Sequence, residues 1–199
     1  MQREEVIKIV KAAQIEGMSP DLRRVDLSEV DLRDINLRKV NLNESDMYAV
    51  NLSRVNLTEA SLIFANLIQT NLAGANLREA NLVFANLRLA NLNNVNFSGA
   101  NLSATDLYGA NLSRADLSDA NLAEANLSET DLNGANLRRA NLYEANFVEA
   151  NLCNADLRGA DLNGANLTGA IYNRQTRWDK GFNPTAAGAI KHKQWFDLF

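Results

Sequence analysis

Residues 75–94 read Ala75-Asn76-Leu77-Arg78-Glu79, Ala80-Asn81-Leu82-Val83-Phe84, Ala85-Asn86-Leu87-Arg88-Leu89 and Ala90-Asn91-Leu92-Asn93-Asn94. The same five-residue phrase runs from residue 20 to residue 170. Of its 30 central positions, Leu22 to Leu167, 27 are leucine, and the others are Met47, Phe97 and Phe147. The residue before the centre is Asn 20 times, Asp 9 times and Ser once, at Ser61, which marks a column that wants a short polar side chain. The residue before that is small or β-branched, mostly Ala, while the two after the centre vary and are mostly polar.

No straight element buries such a series. An α-helix turns about 100° per residue, so leucines five apart spread around its whole circumference. A strand alternates its faces, so the same leucines would point in and out by turns. Within one repeat, however, the small residue and the Leu are two apart, as on one face of a short extended segment. The next two residues must then turn a corner so that the following pair points inward again. Glycine at the second corner position, as at Gly74 and Gly134, fits a corner that needs positive φ. The chain therefore winds into a coil whose stacked turns pair through their backbones, a β-solenoid. Three segments per turn would give a period of 15 residues and four a period of 20. The recurrence of Ile63-Phe64 as Val83-Phe84, and of Ala123-Glu124 as Tyr143-Glu144, favours 20.

The motif Ala-(Asn/Asp)-Leu-x-x, as in Ala75-Asn76-Leu77-Arg78-Glu79, resembles that of the pentapeptide repeat family, over about three quarters of the chain. The stretch from Tyr172-Asn173 through Gly181-Phe182-Asn183-Pro184 is similar to the ending of many cyanobacterial members. The resemblance implies a right-handed quadrilateral β-helix and so supplies the number of sides and the hand. The expected fold is an all-β solenoid of about 7.5 coils, roughly 36 Å long at ~4.8 Å per coil, capped by short α-helices at the N- and C-termini. The boundaries are 1–19 for an N-terminal capping helix, 20–170 for the β-helix, and 171–199 for an aromatic-rich C-terminal capping segment. Val6, Ile7, Val10 and Ala13 stripe the first helix, which Gly17 and Pro20 stop. Asn183 as N-cap and Pro184 at the first helical position start a second helix to about residue 196. Trp178, Phe182, Trp195, Phe196, Leu198 and Phe199 then form a lid over the last coil or, alternatively, a dimer contact.

Little in the chain carries chemistry. The Asn and Asp column is structural, its side chains bonding the backbone at each corner or the equivalent Asn one coil away. Cys153 stands alone at an outward turn position, and His192 lies between Lys191 and Lys193 in the expected tail helix, so neither a disulfide nor a zinc site is available. No phosphate-binding loop, dinucleotide turn or metal-ligand spacing occurs. No catalytic, cofactor-binding or metal-binding residue is assigned, no cofactor is expected, and the protein reads as a non-enzyme. No apolar run approaches the ~20 residues of a membrane span and no signal peptide is recognised, so the expected compartment is the cytoplasm.

The surface is uneven. With a period of 20, the outward residues sort into four sides of net charge −3, −5, 0 and +1, starting from the side of Leu22. A broad basic face for nucleic acid is absent. The two acidic sides also hold apolar residues where polar ones belong: Ile63, Phe64, Val83 and Phe84 on the first, Tyr48, Ile68, Leu89 and Tyr108 on the second. This patch is the candidate docking site for another protein, unless the protein's own tail covers it. The favoured function is a non-catalytic rod-like interaction scaffold, monomeric, with no small-molecule substrate, no direct nucleic acid and no membrane. The alternative is a DNA mimic that binds gyrase, as the resemblance to quinolone-resistance members of the family implies.

Overall fold

A computed structural model describes residues 1–192. Every Asn, Asp or Ser before a central residue, from Asp21 to Asn151, pairs in parallel with the residue 20 positions on, as Asn76 does with Asn96. Four pentapeptides therefore make one turn, and the sheet on each side is a ladder of single-residue bridges. The only regular strands among the described residues are β1 (Ile171–Tyr172) and β2 (Ile190–Lys191), which are parallel neighbours.

One repeat shows why the phrase has five residues and needs its Asn. The Asn76 N–H donates to Val55 O of the coil before at 2.9 Å, and the Leu77 N–H to Asn96 O of the coil after at 2.7 Å. The Glu79 N–H also reaches the coil after, at Ser98 O, 3.1 Å, and the Ala80 N–H closes the corner onto Leu77 O at 3.0 Å. That leaves the Arg78 N–H, which the Asn76 side chain accepts through Oδ1 at 3.2 Å. All five donors are satisfied, the fifth only because residue 76 carries a short acceptor side chain. A second bond joins the Asn column along the rod: Asn141 Nδ2 donates to Asn121 Oδ1 at 2.9 Å and Asn121 Nδ2 to Asn101 Oδ1 at 3.1 Å. Both kinds of bond expected of this column are present.

The second corner residue has positive φ in every repeat, 23 times without being glycine, from Arg24 (φ 56°) to Asn154 (φ 62°). This is the third position of a type II turn, closed by the Ala80-to-Leu77 type of bond. Inside, the central residues from Leu22 to Leu157 are all buried, with the Ala or Val column packed between them.

Helix α1 (Arg3–Ile15) buries Val6 and Val10 in the same core, with Ile7 and Ala13 half-buried. It also brings donors to the first coil, whose outer carbonyls have no preceding coil to bond. The N-terminal ammonium donates to Asp26 O at 2.9 Å, and the Arg3 guanidinium to Asp31 O at 2.7 Å and Arg33 O at 3.0 Å.

The C-terminal helix expected from Asn183 does not run through the described residues. Its cap forms, with the Ala186 N–H donating to Asn183 Oδ1 at 3.1 Å, but the coil makes a single turn. Gly188, at φ 94°, ends it, and Ile190–Lys191 return as β2 beside β1. A Cβ on Gly188 would stand 3.2 Å from Thr168 Cα, so the glycine lets two backbones approach where a helix would have continued. His192 accordingly follows a strand, its N–H donating to Tyr172 O at 2.7 Å. Trp195, Phe196, Leu198 and Phe199 lie outside the described residues. Trp178 and Phe182, stacked at 5.1 Å, pack on the core at this end with Tyr172 edge-on to Trp178.

Candidate functional site

The lag of 20 residues decides which outward side chains meet. Phe64 and Phe84 stand one above the other on the first side, ring centroids 5.0 Å apart and planes 7° from parallel. They are 59% and 54% exposed, so the stack faces solvent among the described residues. Both occupy the left-handed corner position, at φ 57° and 58°, where a bulky side chain is sterically costly. Leu89, at φ 57° on the second side, is also exposed. Ile63, Ile68, Val83 and Tyr108 are half-buried in the corners beside them, and Tyr48 is exposed, its hydroxyl donating to Gln69 Oε1 at 2.8 Å.

All eight residues of the predicted patch thus lie on two adjoining sides. Sequence reasoning missed three participants. Arg88 lies over the Tyr108 ring, 4.3 Å from its centroid, and donates to Asp106 at 3.2 Å, so the cation in the patch is already neutralised. Glu129 beside the Tyr108 hydroxyl, and then its loss of solvent, raise that phenol above its ordinary range. Tyr143 is exposed further along the first side, and Glu144 beside it raises its phenol likewise. Its outward position on the same side was the signal for it.

On the two other sides most carboxylates are held by arginines, as Asp21 and Glu44 are at the start of the first side. Arg54 pairs with Asp34 at 2.7 Å and Arg139 with Asp119 at 2.6 Å, both one coil apart. Asp156 is shared by Arg158 at 2.6 Å, Arg138 at 3.5 Å and Arg177 at 3.8 Å. The Arg158 hydrogen bond, against partial burial, holds the Asp156 carboxyl down to about 2.

Among the described residues no group of three or more His, Cys, Asp and Glu is arranged to hold a metal. Cys153, expected at an outward turn, is buried, and burial, then Asp131, raises its thiol. No described helix is long and apolar enough to cross a membrane.

The family model for pentapeptide repeats matches in 8 copies over residues 21–58, 56–94, 96–134 and 135–171. Among solved structures, a pentapeptide repeat protein from Nostoc PCC 7120, alr5209, is 40% identical over 54% of this chain and 84% of its own, with a TM-score of 0.48. HetL, a pentapeptide repeat protein involved in heterocyst differentiation regulation from the cyanobacterium Nostoc sp. strain PCC 7120, is 29% identical over 86% of this chain and 97% of its own, with a TM-score of 0.30. QnrB1, a plasmid-mediated fluoroquinolone resistance protein, is 14% identical over 84% of this chain and 92% of its own, with a TM-score of 0.53. The comparison with curated proteins gives no match.

Proposed function

This chain belongs to the pentapeptide repeat family, whose members form right-handed quadrilateral β-helices, and on that footing we propose that it is a non-catalytic scaffold that docks another protein on its first two sides. The observation that carries this reading is the solvent-facing Phe64–Phe84 stack. Two phenylalanines at corner positions lose both the conformational ease of glycine and the hydration of a polar side chain. Elsewhere the same column is filled mainly by charged residues, Asn, Ala and Gly. Residues kept at such a double cost act through what they touch outside the molecule. The rod works as a cytoplasmic monomer, with α1 at one end and β2 near the other, and needs no cofactor.

Site-specific photo-crosslinking tests this. A benzoylphenylalanine replacing Phe84 should yield a discrete heavier species in cells that express the protein. The same residue replacing Asn94, on the opposite side, should not. Equal yields, or none from position 84, would refute the docking face.

The gyrase-binding alternative needs carboxylates spread around the rod as phosphates are around DNA. The acidic excess here lies on two sides, while most carboxylates of the other two are held by arginines. DNA supercoiling by gyrase is therefore expected to be unchanged by this protein.

A further inference from the structure

The second-corner columns of the first two sides change character along the rod. On the first side the order is Phe64, Phe84, Ala104, Glu124, Glu144, and on the second Leu89, Gly109, Glu129, Glu149. All four glutamates are exposed, and none forms an ion pair with a described cation. Stacking like charges one coil apart is unfavourable. The start of the first-side column avoids it with the Arg24–Glu44 pair at 2.8 Å, and the other two sides with pairs such as Arg54–Asp34 at 2.7 Å and Arg139–Asp119 at 2.6 Å. Past Phe84, Arg88 is the one cation in the repeats of these two sides, and Asp106 and the Tyr108 ring already hold it. The result is an exposed apolar patch continuous with an uncompensated carboxylate strip. Small residues Ala104 and Gly109 form a low step between them, over which Leu89 leans: a Cβ on Gly109 would stand 2.8 Å from a Leu89 Cδ.

We propose, resting on the scaffold reading above, that the partner presents a basic segment with an apolar anchor. The anchor seats on Phe64, Phe84 and Leu89, and its lysines or arginines lie over Glu124, Glu144, Glu129 and Glu149. At ~4.8 Å per coil the two first-side glutamates stand about 10 Å and 14 Å along the rod from Phe84. Seven to nine residues of an amphipathic helix span that distance, at 1.5 Å each. Charge complementarity selects this partner: nucleic acids and anionic membranes are repelled by the strip, and an acidic protein surface is too.

Three fluorescein-labelled 14-residue helical peptides test this against the full chain: one of Leu and Lys, one with Glu for every Lys, and one with Ser for every Leu. Anisotropy titrations at low and moderate salt read the affinity. The Leu/Lys peptide should bind the wild type and weaken with salt. It should bind Phe64→Ser/Phe84→Ser about tenfold less tightly. On Glu124→Gln/Glu144→Gln it should bind about threefold to tenfold less tightly and with a shallower salt dependence, and on Asp119→Asn it should bind unchanged. All these positions are exposed, and an unchanged melting temperature shows each variant folded. Binding of the Leu/Glu peptide as tightly as Leu/Lys would overturn the basic partner while leaving the apolar docking face standing. Equal binding by the Ser/Lys peptide would overturn the anchor. Failure of both leucine peptides to bind would overturn this inference, and the photo-crosslink at position 84 then decides separately whether the docking face stands.

Discussion

Ser61 is the one departure from the Asn/Asp column, and the structure turns it into a measurable coupling. At every ordinary corner the Oδ1 of the Asn or Asp accepts the N–H two residues on. A serine hydroxyl makes this bond more weakly, and the Ser61 hydroxyl turns instead to the coil before, leaving the Ile63 N–H without a local acceptor. Asn43, from the coil before, supplies one: the Ile63 N–H donates to Asn43 Oδ1 at 2.9 Å, and Ser61 Oγ donates to the same oxygen at 2.6 Å. Asn43→Ala therefore removes two neutral hydrogen bonds at a half-buried corner. At about 0.5–1.5 kcal/mol each, and with water replacing part of the loss, the cost is about 1–2 kcal/mol. In a chain of this size that lowers the melting temperature by about 2–8 °C. In a Ser61→Asn background the new side chain closes its own corner, and Asn43→Ala should then cost less than about 0.5 kcal/mol. The double-mutant cycle, read by thermal and denaturant unfolding, should give a coupling of about 1 kcal/mol. Equal costs in the two backgrounds would refute the account of why the column holds Asn and Asp.

Three further outcomes are expected. Leu107→Ala should cost about 2–5 kcal/mol, against less than about 0.5 for Ser103→Ala, because only the first leaves a cavity in the core; equal melting shifts would contradict the buried centres. Ala104→Gly, at φ 53°, should raise stability by about 0.5–1 kcal/mol in denaturant unfolding, since relief of the left-handed corner outweighs the added chain entropy. Asp156 has its carboxyl lowered to about 2, so its stabilisation is complete above the ordinary carboxylate range near 4 and disappears as pH falls from about 4 towards 2. Asp156→Asn should flatten the acid limb of the stability curve in that window and lower stability at pH 7, with an unchanged acid limb as the opposing result.

The winding itself was legible in the residues because it is a matter of local sterics repeated every five positions. A large apolar centre two residues after a small one, followed by a two-residue corner, admits one inward direction. Even the stacking of Phe64 on Phe84 could be read, once a period of 20 was favoured, from the recurrence of Ile63-Phe64 in Val83-Phe84. The C-terminal segment was not legible in the same way. Asn183-Pro184 is a sound helix start, and the helix stops because Gly188 must pass against the backbone of Thr168, a neighbour 20 residues away.

The amino-acid sequence alone determined the period, the core column, the need for a short polar side chain before each centre, and which sides are acidic and apolar. The tertiary structure decided what each outward group meets. In a solenoid that partner belongs to the adjacent coil, so its identity depends on register. The Asn43 acceptor for Ile63, the neutralisation of Arg88, and the absence of described ion-pair partners for four glutamates all follow from the lag of 20. Register also changes at the far end, where Asp156 pairs with Arg177 and Ile171 with Ile190, lags of 21 and 19 that no periodicity could have announced. Local chemistry repeats and can be read along the chain, whereas contacts across coils depend on how many residues each turn spends, which is settled only when the backbones pair.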